Sequence, residues 1–288
     1  MTTLPIVKGH GTENDFVLVP DADDRWAQVL TADVVAALCH RRAGIGGDGL
    51  IRIVPTSAVA EFAHLADRAP WFMDYRNADG SVAEMCGNGA RVFVRYLRDA
   101  GLEPSDSMRI ATRAGVLDVD VRGDLIAVQM GTAEVVPAEV PITVVVGEYV
   151  WSATGVHIPN PHAVAFVDDL AQAGPLLAAP VVSPASAFPE GANVEFVVPR
   201  GERHVAMRVF ERGSGETRSC GTGAAAVAVA ARERVGGVGE QAWTIDVPGG
   251  RLVVELGDGG HSVLVGPAVL VAQAEVDLGR LAASSLVS

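Results

Sequence analysis

Lysine is almost missing from this chain. Lys8 is the only one among 22 basic residues, and arginine supplies the rest. Pyridoxal phosphate needs a lysine for its Schiff base, and Lys8 is the only residue that could supply it. Cysteine is scarce as well: Cys39, Cys86 and Cys220 are all there are. An odd, small number argues against a disulfide framework and suggests a reducing cytoplasm. None lies in a C-x-x-C pair, which excludes a zinc knuckle or a thioredoxin-type motif. Basic blocks are absent and the net charge is −13, so nucleic-acid binding is not expected. Residues 1–10 hold no apolar core of about 7–15 residues behind a basic start, so no signal peptide is expected. The longest apolar run, residues 221–231, is far short of the roughly 18–20 residues of a membrane span.

What is present is an ordinary globular mixture, 49% hydrophobic and 20% charged. A length of 288 residues suits two domains. The rest of the chain is organised around Met85-Cys86-Gly87-Asn88-Gly89-Ala90-Arg91, a cysteine before a glycine-rich turn and an amphipathic helical pattern ending at Gly101. The arrangement returns as Ser219-Cys220-Gly221-Thr222-Gly223-Ala224, followed by an Ala/Val-rich run to Gly236. Each cysteine is expected at a helix N-terminus, where unpaired amides and the helix dipole favour negative charge. That setting lowers a thiol from about 8.5 toward neutrality. Two thiols in one local frame suggest a paired acid and base.

In chain order, a strand at Ile6-Val7 leads through the polar turn His10–Phe16 to a second at Val17-Leu18-Val19. Asn14 is a candidate ligand donor there, although turn formation explains an asparagine equally simply. Residues 31–41 read as a helix, with Cys39 as a small buried hydrophobe. Gly44-Ile45-Gly46-Gly47-Asp48-Gly49 matches G-x-G-x-x-G. It follows a helix and enters a strand, the reverse of the dinucleotide-binding context, so it is read as a connector. Residues 59–68 are ambiguous. Residues 71–76 alternate like a strand, Asn77-Ala78-Asp79-Gly80 is a turn, and residues 108–130 read as a meander. Residues 133–141 are acidic and proline-bearing, and the boundary is placed near Gly131.

The second half repeats the plan. Strands near 142–151 lead to a polar loop Asn160-Pro161-His162 and a strand at 163–167. A Pro/Ala/Ser-rich connection covers 174–188. Strands at 194–198 and 204–210 then lead through Glu211-Arg212-Gly213 to Cys220 and its helix, and residues 243–276 are strand-rich. The helix after Cys220 is apolar on all sides, which places it inside a curled sheet. The expected fold is therefore α+β: two similar domains, 1–130 and 131–267, facing each other, with one cysteine from each in the cleft. A carbon acid held between two such thiols loses a proton to one face and regains it from the other. Helix-start amides would hold the carboxylate as charge develops. His162 and Glu211 could set the protonation states of the cysteines, though a lone loop histidine and a glutamate beside an arginine both have plainer explanations.

The set Asn14-Asp15-Phe16, Asn77-Ala78-Asp79-Gly80, Met85 to Arg91, Thr112-Arg113-Ala114-Gly115, Asn160-Pro161-His162, Phe188-Pro189-Glu190, Glu211-Arg212-Gly213 and Cys220-Gly221-Thr222-Gly223 resembles the diaminopimelate epimerase family, in order and across nearly the whole chain. The resemblance implies cofactor-independent interconversion of LL- and meso-2,6-diaminopimelate, in lysine and peptidoglycan precursor synthesis, with Cys86 and Cys220 as the two bases. It implies two pseudo-symmetric domains, each a mixed sheet around a central helix, with a last strand, about 268–283, returning to the first domain. It assigns the substrate to Asn14, Asn77, Asn160, Asn193, Glu211 and Arg212, and its reacting carboxylate to Gly87, Asn88, Gly221 and Thr222. His162 and Glu211 would assist the cysteines. A homodimer is implied, with no membrane and no nucleic-acid partner. One departure stands out: many members carry glutamine where this chain has Gly49. Two other readings share the thiols. One is a proline or hydroxyproline racemase-type epimerase, which would leave the polar set for a second amino-acid end unused. The other is a redox-regulated amino-acid-binding protein.

Overall fold

The computed structural model describes residues 3–137 and 141–285, the last four as backbone only. Residues 138–140 of the acidic, proline-bearing segment lie outside the described residues. The first half builds β1 (Thr3–Gly11), β2 (Asn14–Pro20), α1 (Ala32–Cys39), β3 (Gly49–Pro55), β4 (Trp71–Asn77), α2 (Gly87–Asp99), β5 (Ser107–Thr112), β6 (Gly115–Arg122) and β7 (Leu125–Thr132). There follow β8 (Glu134–Val135), β9 (Ile142–Val146), β10 (Tyr149–Ile158), β11 (Asn160–Phe166), β12 (Val181–Ser183), β13 (Asn193–Gly201), β14 (His204–Glu211) and β15 (Gly215–Thr217). The chain ends with α3 (Gly221–Arg234), β16 (Gln241–Val247), β17 (Gly250–Leu256), β18 (His261–Pro267), β19 (Val269–Asp277) and α4 (Leu278–Ser285). It forms two compact units, one of Met1–Val128 with Pro267–Ser288, the other of Gln129–Gly266.

In the first unit β1 pairs antiparallel with β19 and with β2; β2 runs parallel to β3, and β3 antiparallel to β4. After α2, β5 lies parallel to β4 and starts an antiparallel meander through β6 and β7. The second unit repeats this order of pairings. β10 and β11 are antiparallel, β11 is parallel to β13, and β13 is antiparallel to β14. After α3, β16 lies parallel to β14 and continues antiparallel into β17 and β18. The repeat places Asn14 and Asn160 at the starts of equivalent strands, Gly49 and Asn193 likewise, and Asn77 and Glu211 at the ends of equivalent strands.

Each sheet curls around its helix. α2 packs against β1, β2, β3, β4 and β19, and α3 against β10, β11, β13, β16 and β17. Gly223 to Ala231 of α3 includes no exposed residue, and all but Thr222 of its first eleven residues are buried. Alanine and valine suit this place because short side chains let strands approach from every side. Burying Val227 and Val229 is worth roughly 1.5–3 kcal/mol each relative to exposure.

The structure differs from the sequence reading in four places. Asn160-Pro161-His162 is not a loop but the first part of β11, in register with β10. Asn-Pro is a turn signal, but proline is tolerated near a strand start and cross-strand pairing decides. The strands expected near 142–151 are β9 and β10, separated at Gly147-Glu148, but the second runs on beyond Trp151 to Ile158. The connection at 174–188 contains β12, paired with β9. The last strand stops at Asp277, and Leu278 onward is helical, packed against α1, where Leu281 joins the core around Leu30, Val35 and Leu38. The ambiguous residues 59–68 form a short 3-10 turn, Ala63–Leu65, within a loop.

Candidate active site

Cys86 is the N-cap of α2, and its sulfur accepts the Gly89 amide at 3.4 Å. Its thiol also contacts the Asn14 side-chain oxygen at 3.7 Å. Asn14 is not merely a turn-former. Its oxygen accepts from Asn88 Nδ2 at 3.2 Å, and its Nδ2 donates to Asp48 at 2.7 Å. Asp48 also receives the Asp15 amide and the Arg41 guanidinium. The glycine-rich connector thus delivers Asp48 to hold one asparagine in one orientation. Lys8, the only lysine, is engaged by Asp15 and the Gly46 carbonyl. Burial opposes ionisation of Asp15, but hydrogen bonds from Arg41 and Lys8, with their charge, outweigh it and bring it down to about 2. Cys39 is elsewhere in this unit, and burial pushes its thiol up to about 12, as suits an inert core residue.

Asn77 closes β4. Its Nδ2 donates to Ser81 at 3.0 Å and its oxygen accepts from the Tyr75 hydroxyl at 3.1 Å. The Tyr75 ring explains Gly49. A Cβ at Gly49 would stand 2.7 Å from Tyr75 Cε2 and 2.5 Å from the Arg76 carbonyl. No side chain fits there while the tyrosine does.

In the second unit Cys220 caps α3 in the same manner, accepting the Gly223 amide at 3.3 Å, with Thr222 Oγ1 at 3.4 Å. Three strand ends converge behind it. His162 is fully buried, with Nδ1 2.6 Å from Glu195 and Nε2 2.9 Å from the Asn160 oxygen. Glu211 accepts the Thr217 hydroxyl and the Cys220 thiol. Asn193 accepts the Arg212 amide at 2.8 Å, while its Nδ2 is buried with no partner among the described residues. Arg212 reaches the Glu190 carbonyl at 2.9 Å. The second oxygen of Glu195 is likewise buried and unpaired among the described residues.

The electrostatics correct one expectation. Burial pushes the Cys220 thiol well up from its usual value, and the Glu211 and Glu195 carboxylates push the same way. Hydrogen bonds from Thr222 and the Gly223 amide oppose this and do not prevail. A helix N-terminus alone does not ionise a thiol when desolvation and two carboxylates work against it. Burial raises Glu211 too, against its bonds to Thr217 and Cys220. Burial thus shifts both Cys220 and Glu211 in the direction of protonation.

Sequence reasoning missed Glu195, Asp48, Thr217 and Tyr75. Glu195 carried a signal: an acidic residue inside the otherwise apolar run Val194–Val198. Asp48 carried none beyond its glycine-rich setting. Among the described residues, no group of three or more His, Cys, Asp or Glu side chains is placed to hold a metal ion. No helix among them is long and apolar enough to cross a membrane.

Comparison with known proteins was made on this background. Solved structures share the fold at low identity. A phenazine biosynthesis protein of the PhzF family from Bacillus anthracis superposes with a TM-score of 0.70 at 17% identity, over 96% of this chain and 100% of that one. A hydroxyproline epimerase from Agrobacterium vitis gives 0.67 at 14% identity, over 96% and 91%. Sequence relatives are far nearer. The chain is 55% identical to a diaminopimelate epimerase of Streptomyces coelicolor over 283 residues, 96% of each protein. It is 47% identical to that of Thermobifida fusca over 285 residues, 96% of this chain and 100% of the relative. It is 44% identical to that of Corynebacterium glutamicum, over 96% and 99%. The family model for diaminopimelate epimerase matches residues 6–136 and 154–271. The chain belongs to the diaminopimelate epimerase family.

Proposed function

We infer that this protein interconverts LL- and meso-2,6-diaminopimelate without a cofactor, using Cys86 and Cys220 as the acid/base pair. The observation that carries this reading is the repeated N-cap cysteine, one in each unit, with a glycine amide on each sulfur. Inversion at carbon needs one thiolate and one thiol, each acting on its own face of the α-carbon, and each unit supplies one sulfur. The obstacle is the weak acidity of the α-hydrogen. First-turn amides of a helix lie outside its internal ladder, so those of Gly87, Gly221 and Thr222 are suited to a carboxylate gaining negative charge. Asn88 serves the same end by fixing Asn14. One well-placed donor is worth roughly 3–4 kcal/mol in the transition state, and alignment of the reacting groups up to about 7–11 kcal/mol more.

Glu211, which accepts the Cys220 thiol, sets the protonation of that cysteine, and His162, held by Glu195 in the same unit, assists. Asn14, Asn77, Asn160, Asn193, Glu211 and Arg212 hold the substrate. The unpaired Nδ2 of Asn193 supports this, since a buried amide without a partner costs about 1–3 kcal/mol until a ligand accepts from it. At Gly49 the Tyr75 hydroxyl takes over the polar contact, beside Asn77. The same reading includes a homodimer, a cytoplasmic location and a place in lysine and peptidoglycan precursor synthesis.

The test is proton NMR in deuterated buffer with LL-diaminopimelate, a reductant and no added cofactor. Deuterium wash-in at the α-carbon with growth of the meso isomer is the expected result. No exchange under reducing conditions rejects this substrate, and exchange with proline instead moves the assignment to a racemase of cyclic imino acids.

A further inference from the structure

Arg91 is a buried charge that the chemistry above does not use. It lies five residues beyond Cys86 on α2 and is fully buried. Its guanidinium donates to the Asn88 oxygen, to Thr12 Oγ1 at 3.2 Å and to the Pro267 carbonyl at 2.9 Å. All three acceptors are neutral, and no carboxylate pairs with it among the described residues. Burying an unpaired cation is costly, and buried charges are ordinarily matched. The neighbouring cations are matched: Lys8 by Asp15, Arg41 by Asp15 and Asp48, Arg52 by Asp21, Asp24 and Asp74, and Arg76 by Asp74. The other titratable groups on strands packed against α2 are engaged or turned to solvent. His10 accepts the Glu13 amide, Tyr75 donates to Asn77, Asp277 pairs with Arg280, and Glu275 is exposed.

We propose that Arg91 is the counter-charge of the Cys86 thiolate, a positioning residue that keeps Cys86 ionised in the resting enzyme through the Asn88–Asn14 network and its own field. The inference rests on the acid/base role of Cys86. Burial brings Arg91 down from 12.5 to about 10, which leaves it a cation at neutral pH, and an ionised Cys86 acts on it in the opposite, stabilising sense. The internal repeat supplies a control within the same molecule. The residue five beyond Cys220 is Ala225, and the buried ionisable groups around Cys220 include the carboxylates Glu211 and Glu195. The two cysteines share a backbone frame but sit in opposite fields, one beside a buried cation and one beside buried carboxylates. That asymmetry sets a thiolate–thiol pair. The 3.7 Å contact between Cys86 and the Asn14 oxygen serves the protonated form, but a long S–H···O contact is weak beside a full buried charge. Gly11 keeps room for the guanidinium: a Cβ there would stand 3.1 Å from Arg91 Nη2 and 3.0 Å from the Asn88 carbonyl.

The experiment is the pH profile of iodoacetamide labelling at Cys86, read by mass spectrometry of its peptide in the full-length protein. In the wild type the midpoint is expected at least about one pH unit below the 8.5 of a free thiol. Arg91→Gln raises it by about a unit or more, slowing labelling near neutrality roughly tenfold. Arg91→Lys restores most of the shift, and Cys220 labelling in the same samples is unchanged. Gly11→Ala displaces the guanidinium without removing it and moves the midpoint the same way, so the test survives if Arg91→Gln does not fold. A wild-type midpoint at or above 8.5, or folded variants that leave it unmoved, overturns the proposal. Labelling needs no turnover. A shifted midpoint in a protein that exchanges no α-proton would retain Arg91 and reject the epimerase reading, and turnover with an unmoved midpoint would do the reverse.

Discussion

Cys86 and Cys220 stand at the same helix position in the same backbone conformation. Their φ/ψ pairs are −142°/118° and −124°/119°, and each sulfur receives the amide three residues on, at 3.4 and 3.3 Å. A cysteine is an unusual N-cap, because serine, threonine, aspartate and asparagine cap better. Both helices start with the poorer cap and the more nucleophilic atom.

Cys86→Ala and Cys220→Ala are each expected to reduce epimerisation by about 10²–10⁴-fold or more, the range that a positioned acid or base contributes. Loss of a weak cap costs no more than about 1 kcal/mol, so circular dichroism should match the wild type. Substantial turnover by either folded variant would refute the two-base scheme.

Gly223→Ala should be nearly as damaging although it removes no functional atom. Its Cβ would stand 2.9 Å from Glu195 Oε1 and 3.3 Å from Cys220 Sγ. The carboxylate would have to leave His162, with which it makes a 2.6 Å contact. Turnover should fall at least about tenfold, as for other small displacements of catalytic groups. Wild-type kcat in a folded Gly223→Ala variant would show that the Glu195–His162 couple plays no part.

Glu211 makes stability depend on pH. Its folded-state value is raised above the ordinary 4.5 by burial. Its contribution is therefore fully present below 4.5 and is lost as pH rises through the folded value. Glu211→Gln keeps an acceptor for Thr217 and Cys220 and has no charge to desolvate. Urea midpoints at several pH values should show the variant gaining on the wild type as pH rises from 4. A difference that shrinks with pH would mean the carboxylate is stabilised by the fold.

Asp74 behaves oppositely. It accepts from Arg113 at 2.6 Å and Arg52 at 3.0 Å, with Arg76 at 3.6 Å. Burial opposes its ionisation, but the three guanidinium groups outweigh it and hold the carboxyl below 3.8. Its contribution is present above 3.8 and is lost as pH falls through the folded value. Asp74→Ala strands buried cations and should cost about 3–5 kcal/mol by urea unfolding at pH 7. A loss under 1 kcal/mol would mean water already screens the cluster.

The connection between sequence and site is uneven, and particular residues show why. Both cysteine turns are local signals: glycine, a cap and a helical pattern within seven residues. His162 was equally visible, but its partner Glu195 is 33 positions away and meets it only because β11 and β13 run parallel. Asp48 reaches Asn14 over 34 positions by the same logic. Asn160 read as a turn residue because the dipeptide with Pro161 is a turn signal, while the neighbouring strand β10 made it part of a ladder.

The amino-acid order by itself determined the two capped helices, the repeated strand plan and the family to which the chain belongs, since these rest on spacing over a few residues or on motifs kept in order. Tertiary structure alone decided the charge around each sulfur. The half-buried Cys86 thiol has the buried Arg91 nearby, and the buried Cys220 thiol has Glu211 and Glu195. Burial strengthens whichever field is present, and neither burial nor the charges brought by distant strands can be read from a matched hexapeptide.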